Sequence, residues 1–235
     1  MPVYLSASSI ADFIACPQKV LYRLKKTVPE IPNKGMTIGR IVHSAIEKGW
    51  NNKERAYSII HEEVKANNLK KTDNTNMEFM VDMFFLNFRQ RLGDNDLIEF
   101  KFKLPLYDDV FIVGKMDRIT KGNLLDWKTT SKLPSKLGND VQCIIYDWAY
   151  QKLFDKKANS ICVAGLSTGE LIPYKEDILC TKELFDNVIP RMIKTVRHET
   201  YERLGLYNHS CFMCAYKAGC LGGGEYVLDN SVSPE

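Results

Sequence analysis

The chain has 235 residues, 45% hydrophobic and 26% charged, enough to bury one good core and typical of an ordinary globular protein. No apolar stretch approaches the roughly 20 residues of a membrane helix, and the opening MPVYLSASSI has neither the basic flank nor the apolar run of a signal peptide, so a cytoplasmic or nucleoid-associated location without membrane association is expected. A formal net charge of +3 permits nucleic-acid binding without demanding it, because a phosphate-binding face can hide in a nearly neutral total.

Residues 6–25 are predicted to form a helix, with Ser8 or Ser9 as N-cap and an interruption near Pro17. Residues 29–34 are a predicted loop, 36–50 an amphipathic helix and 54–67 a more polar one, followed by a polar linker over 67–76. Residues 77–92, rich in Phe and Met, predict a core helix. The period then changes: 97–104, 110–120 and 123–129 alternate or run apolar as strands do. Helical spacing returns over 140–154, a strand pair is predicted at 160–167 and 170–175, and a last long helix at 182–204. There is no internal repeat, and the tail after Gly222 is expected to be loosely ordered.

The chemistry concentrates in the central hairpin. A two-residue Lys121-Gly122 loop places Asp117 opposite Asp126, and a Gly122-Asn123 loop places it opposite Lys128. In either register Asp117, Asp126 and Lys128 share a face. Adjacent carboxylates repel unless a cation sits between them, and hard oxygen ligands select Mg2+ or Mn2+. Lys128 beside the pair suits orienting an attacking water and offsetting charge on a phosphate. An isolated Asp-x-Lys is more often a surface salt bridge, so the neighbouring motifs matter.

Gly39-x-x-x-His43 lies on the preceding helix with Glu47 one turn further on the same face, offering a nitrogen ligand that tilts preference toward Mn2+. Gln142-x-x-x-Tyr146 presents an amide and a phenol on one helical face, able to hold the water, Lys128 or a phosphate, although either residue also suits simple packing. Lys132, Lys136 and Lys152 are weaker candidates for a DNA path.

Seven cysteines in a chain expected to be intracellular point to metal rather than to disulfides. Cys211-x2-Cys214-x5-Cys220 is a close-set trio whose fourth partner is best supplied by Cys16, with His209 as a substitute. Zinc and a 4Fe-4S cluster both accept four thiolates, so spacing leaves the choice open. Cys143, Cys162 and Cys180 sit in apolar patterns and suit inert core thiols.

The ordered set Leu5-Ser6-x-Ser8-x-Ile10-x-x-Phe13-x-x-Cys16-Pro17-x-Lys19-x-x-Tyr22, Gly39-x-x-x-His43, Gly114-x-x-Asp117, Asp126-x-Lys128, Gln142-x-x-x-Tyr146 and the terminal cysteine trio resembles RecB-type nucleases of the PD-(D/E)XK superfamily. It is most similar to the iron-sulfur branch, with the AddB nuclease domain and small CRISPR-associated nucleases, over residues 5–220. The resemblance implies an α/β restriction-endonuclease-like core, a mixed central sheet flanked by helices, in a single nuclease domain spanning 1–235. It further implies a core with a helical insertion over 36–204, and cluster-binding segments at 1–35 and 205–222.

It implies phosphodiester hydrolysis of DNA, with His43, Asp117, Asp126 and the Trp127 carbonyl holding Mg2+ or Mn2+, Lys128 as catalytic lysine, and Gln142 and Tyr146 supporting them. Cys16, Cys211, Cys214 and Cys220 then hold a structural 4Fe-4S cluster joining the two ends. One departure is Asp126 where many relatives carry Glu. No G-x-x-x-x-G-K-[ST] loop occurs, so this chain does not supply the helicase motor to which such domains are often fused, and any helicase is expected as a partner. The expected activity is a stand-alone exonuclease on single-stranded DNA ends, in a recombination, CRISPR or phage replication setting. The alternative is a non-catalytic DNA-binding or assembly subunit of the same fold.

Overall fold

Ile161 and Val163 are buried with Leu124 in one hydrophobic cluster, whereas Cys162 and Ala164 are buried with Leu125 and Trp127 in another. Successive strand residues point to opposite faces, so the middle of the sheet is covered on both sides. The structure is a computed structural model and describes residues 2–26, 33–204, 208–211 and 214–221.

Its strands are β1 (Val3–Leu5), β2 (Leu97–Tyr107), β3 (Val110–Thr120), β4 (Asn123–Lys128), β5 (Ser160–Gly165) and β6 (Leu171–Pro173). The helices are α1 (Ala7–Ala15), α2 (Pro17–Lys25), α3 (Lys34–Gly49), α4 (Lys53–Ala66), α5 (Lys71–Asn87), α6 (Val141–Phe154), α7 (Ile178–Glu183), α8 (Ile189–His198) and α9 (Lys217–Leu221). Residues of α1, α6 and α8 bury one face of the sheet, and residues of α3, α4 and α5 the other. The result is the mixed α/β sheet flanked by helices that the motifs imply.

The topology around β3 creates the site. β2 runs antiparallel along one edge of β3, so β1 and β4 must share the other. β1 pairs in parallel with Val110 to Ile112, and β4 pairs antiparallel with Arg118 to Thr120. Between these two partners β3 residues 113–117 leave a gap in the sheet, and helix α6 closes it with the Tyr146 hydroxyl, which donates to the Lys115 carbonyl at 2.6 Å. The β3–β4 turn is the two-residue Lys121-Gly122 loop, with φ of 47° and 82°; paired positive φ values match the twist of the flanking strands. Thr120↔Asn123, Ile119↔Leu124 and Arg118↔Leu125 follow, and the next position sets Asp117 opposite Asp126.

The interruption expected near Pro17 is present, where the first helix divides at Cys16. Several other expectations need correction. The N-cap is Ser6 in place of Ser8 or Ser9, and it exchanges hydrogen bonds with Ser9 in a capping box. The linker expected over 67–76 shrinks, because α5 starts at Lys71, stabilised by a bond from the Lys70 amide to Asp73 and an Asp73 ion pair with Lys34. The helix expected over 182–204 starts earlier at Ile178, passes through one π turn at Leu184–Val188 and stops at His198. β1 was not anticipated; three residues are too few to show a period. The expected loose tail lies outside the described residues.

Candidate metal and catalytic site

The β3–β4 ladder ends at Arg118 and Leu125, and a side chain extends it: Asp117 Oδ2 accepts the Trp127 amide at 2.9 Å. The same oxygen lies 3.6 Å from His43 Nδ1 on α3. Across the strand, Asp126 Oδ1 accepts from Gln142 Nε2 at 2.7 Å. Asp126 Oδ2 is ion-paired with Lys128 Nζ at 2.7 Å. Lys128 donates to Gln142 Oε1 at 2.6 Å, and Gln142 Nε2 also reaches Tyr146 Oη at 2.8 Å. Asp140 caps α6 by accepting from the Cys143 amide, fixing the helix start so that Gln142 and Tyr146, one turn apart, face the strand.

Burial controls the charges. Asp126, 3% exposed, is pushed up to about 6 by desolvation against the opposing pull of Lys128. Burial raises Asp117 in the same direction, with the Trp127 amide and Lys128 opposing it. Burial also disfavours charge on Lys128, but Asp126 and Asp117 outweigh it and hold the ammonium protonated. Desolvation lowers His43 and favours the neutral imidazole, the form that binds metal. The Trp127 backbone stands close enough to favour charge on that ring, while its indole packs edge-on against Phe84 at 5.4 Å in the core.

The donor set fits a hard divalent cation. His43, Glu99 and Asp117 place one ligand atom each within 4.8 Å of one another, a group that does not include Asp126, which is buried and paired with Lys128. Glu99 belongs to none of the sequence motifs. The pairs Ile98↔Arg118 and Phe100↔Met116 put it opposite Asp117, a signal legible only once the β2–β3 register is known.

Two open grooves flank the site. One, of about 870 Å³, is lined by Lys101, Lys115, Lys136, Gln142 and Tyr146. The other, of about 1020 Å³, is lined by Arg40, His43, Glu47, Glu99, Lys115 and Lys128. Lys152 lines a separate cavity with Asp147, Asp155 and Glu176, which places it away from a phosphate path.

The cysteines meet elsewhere. Cys16, Cys211, Cys214 and Cys220 line one small cavity together with Tyr22 and Arg203. Burial, followed by the charges of the other three thiols, raises the Cys211 thiol. The surrounding segments are held by Tyr22 against Tyr216 at 5.6 Å and by the Gln18 amide donating to the Glu202 carbonyl at 3.2 Å. His209 is exposed and does not line the cavity. Cys143 and Cys162 are buried in the two cores, and Cys180 packs half-buried against one of them.

No curated protein sequence matches the chain. Among solved structures it is similar to a crystal structure from Eubacterium rectale described as "Putative exonuclease", with a TM-score of 0.66 at 16% identity, covering 86% of this chain and 85% of the other. At that identity the likeness speaks for the fold. The PD-(D/E)XK nuclease superfamily matches residues 4–221, and the chain belongs to that superfamily.

Proposed function

We propose that the protein is a Mg2+- or Mn2+-dependent deoxyribonuclease that hydrolyses phosphodiester bonds, acting as an exonuclease on single-stranded DNA ends. The observation that carries this reading is the convergence of His43, Asp117, Asp126 and Lys128 beside the gap in the sheet, with Gln142 holding both Asp126 and Lys128. Family membership supports a metal-dependent nuclease, and the exonuclease description of the structural neighbour favours action at ends.

In this reading His43, Asp117, Asp126 and the Trp127 carbonyl hold the cation, which supplies Lewis-acid polarisation of the phosphate and makes water more acidic. Lys128, kept charged by its carboxylate neighbours, offsets charge developing on the phosphate and orients the attacking water. Gln142 and Tyr146 position it through a hydrogen-bond chain that ends on the Lys115 carbonyl. Lys101, Lys115 and Lys136 supply positive charge to the groove for the flanking strand.

The four converging cysteines are proposed to hold a 4Fe-4S cluster that ties segments 1–35 and 205–222 to the core at 36–204, within one nuclease domain. The donor set fits, since four thiols from both ends of the chain line one cavity. Among the described residues no helix is long and apolar enough to cross a membrane, and we place the activity on cytoplasmic DNA alongside a helicase, recombination, CRISPR or phage replication partner.

The test is cleavage of end-labelled and circular single- and double-stranded DNA with Mn2+ by wild type and Lys128→Ala. The expected result is loss of label from single-stranded ends by wild type only. Equal cleavage by both proteins removes Lys128 from the mechanism, and binding without cutting on every substrate favours the scaffold alternative.

A further inference from the structure

Glu99 occupies an unusual position on β2. The strand pairs with β3 on either side of it, through Ile98↔Arg118 and Phe100↔Met116, yet Glu99 itself adopts a left-handed backbone with φ of 50°. A glutamate inside a strand adopts that conformation only where surrounding contacts impose it. Its side chain is 14% exposed and ion-pairs with Lys115. Its carboxylate also lies within the 4.8 Å group formed with His43 and Asp117.

The charges around this cluster do not balance. Glu47, Glu99, Asp117 and Asp126 bring four carboxylates, against the ammonium groups of Lys115 and Lys128. Arg40 lines the same groove and donates to Asn67, and Arg118 is paired with Asp96 at 2.8 Å. The carboxylates still outnumber the cations around them, an excess of negative charge that a bound cation would offset.

We propose that Glu99 is a further ligand of the divalent cation and that Lys115 is its competitor, so that cation binding transfers Glu99 from Lys115 to the metal and releases Lys115 toward the phosphate strand. The inference rests on the nuclease reading of this site and adds to it a ligand and an exchange. Lys115 is placed for the second role: its side chain is 47% exposed and lines both grooves. Its backbone stays fixed through the Tyr146 bond to its carbonyl. Release of the ammonium therefore needs only rotation of a flexible side chain. A strand spanning the two grooves then meets Lys115 next to the scissile phosphate only when the cation is in place, which couples strand grip to metal loading.

The experiment measures Mn2+ affinity of the full-length chain without DNA, by titration calorimetry and by the loss of the free-Mn2+ paramagnetic signal, for wild type, Glu99→Gln and Lys115→Gln. The expected result is about tenfold or greater weakening for Glu99→Gln and at least about threefold tightening for Lys115→Gln, because removing a competing cation frees the ligand. Glu99→Gln is nearly isosteric and Lys115→Gln lies at a half-exposed position, and a thermal melt of each verifies folding. Unchanged Mn2+ affinity in folded Glu99→Gln overturns the ligand assignment, and unchanged or weaker affinity in Lys115→Gln overturns the competition. A wild type that cleaves DNA while Glu99→Gln binds Mn2+ normally sinks this inference alone, whereas a wild type that binds Mn2+ and cuts no DNA sinks the nuclease reading.

Discussion

Lys128 donates to Gln142 Oε1 at 2.6 Å, and the same amide donates from its Nε2 to Asp126 at 2.7 Å. Only a group with both an acceptor and a donor bridges an ammonium and a carboxylate in this way. Gln142→Leu should therefore lower kcat by about 10–100-fold while changing KM and Mn2+ affinity much less. Gln142→Glu, which lacks the donor and adds a charge beside Asp126, should do worse than the apolar variant. Steady-state cleavage at several pH values checks this; if both variants merely lower the melting temperature and leave kcat unchanged, Gln142 is packing alone.

Lys128→Ala should cost about 10²–10³ in the cleavage rate, the usual effect of removing one stabiliser of developing charge, while Mn2+ binding survives. Separate Mn2+ titration and single-turnover cleavage tell the two apart. Loss of cation binding together with activity would mean that Lys128 acts by holding the site's shape.

Asp126 carries a pH signature. Burial raises its folded pKa to about 6, above the roughly 3.9 of an unfolded chain. The folded state is then the stronger proton binder between those values, so this carboxyl's contribution to stability falls as pH rises from about 4 to about 6. The shift corresponds to about 3 kcal/mol. In chelator, Asp126→Asn should therefore gain about that much stability relative to wild type over this window, and saturating Mn2+ should return the advantage to wild type. A stability difference between the two proteins that stays flat with pH would contradict the burial argument.

Gly114 lies in the gap of the sheet against the Phe102 ring, and a Cβ there collides with that buried ring. Phe102 in turn packs edge-on to Tyr146 at 6.3 Å. Gly114→Ala should destabilise by about 1–3 kcal/mol, a fall of about 2–4 °C in Tm for each kcal/mol in a chain of this size, and should also slow cleavage by disturbing the Tyr146–Gln142 chain. A melting curve superimposable on wild type would show that Phe102 gives way without cost.

For the cysteines, anaerobically purified protein should be brown with visible iron-sulfur absorbance. Ser in place of Cys16, Cys211, Cys214 or Cys220 should bleach it, and Cys180→Ser should not. Colourless wild-type protein carrying stoichiometric zinc would replace the cluster with a zinc staple.

The chemistry was legible in the sequence because its key spacings are short-range. A Gly at a two-residue turn narrowed the hairpin to two registers, and in either one Asp117 shares a face with Asp126 and Lys128 by the two-residue period of a strand; the structure selects the one with Asp117 opposite Asp126. Helical spacing likewise put Gln142 with Tyr146, and the cysteine spacing marked a thiol site. Helix boundaries were less legible: the polar start of α5 looks like linker until Asp73 finds Lys34, 39 positions earlier in the chain. The placement of Cys16, at a break between helices, beside Cys211, Cys214 and Cys220 depended on distant segments in the same way.

Sequence alone determined the residue types and local geometry of the site: two carboxylates, a lysine, a histidine and an amide, placed on a hairpin and two helices by periodicity. Tertiary structure alone decided which groups those elements bring within bonding distance. It set β1 and β4 on the same side of β3 and left a gap for Tyr146 to close, brought Glu99 opposite Asp117, and raised Asp126 by withdrawing it from water. These features depend on distance and dielectric between segments far apart in the chain, and a linear pattern encodes neither.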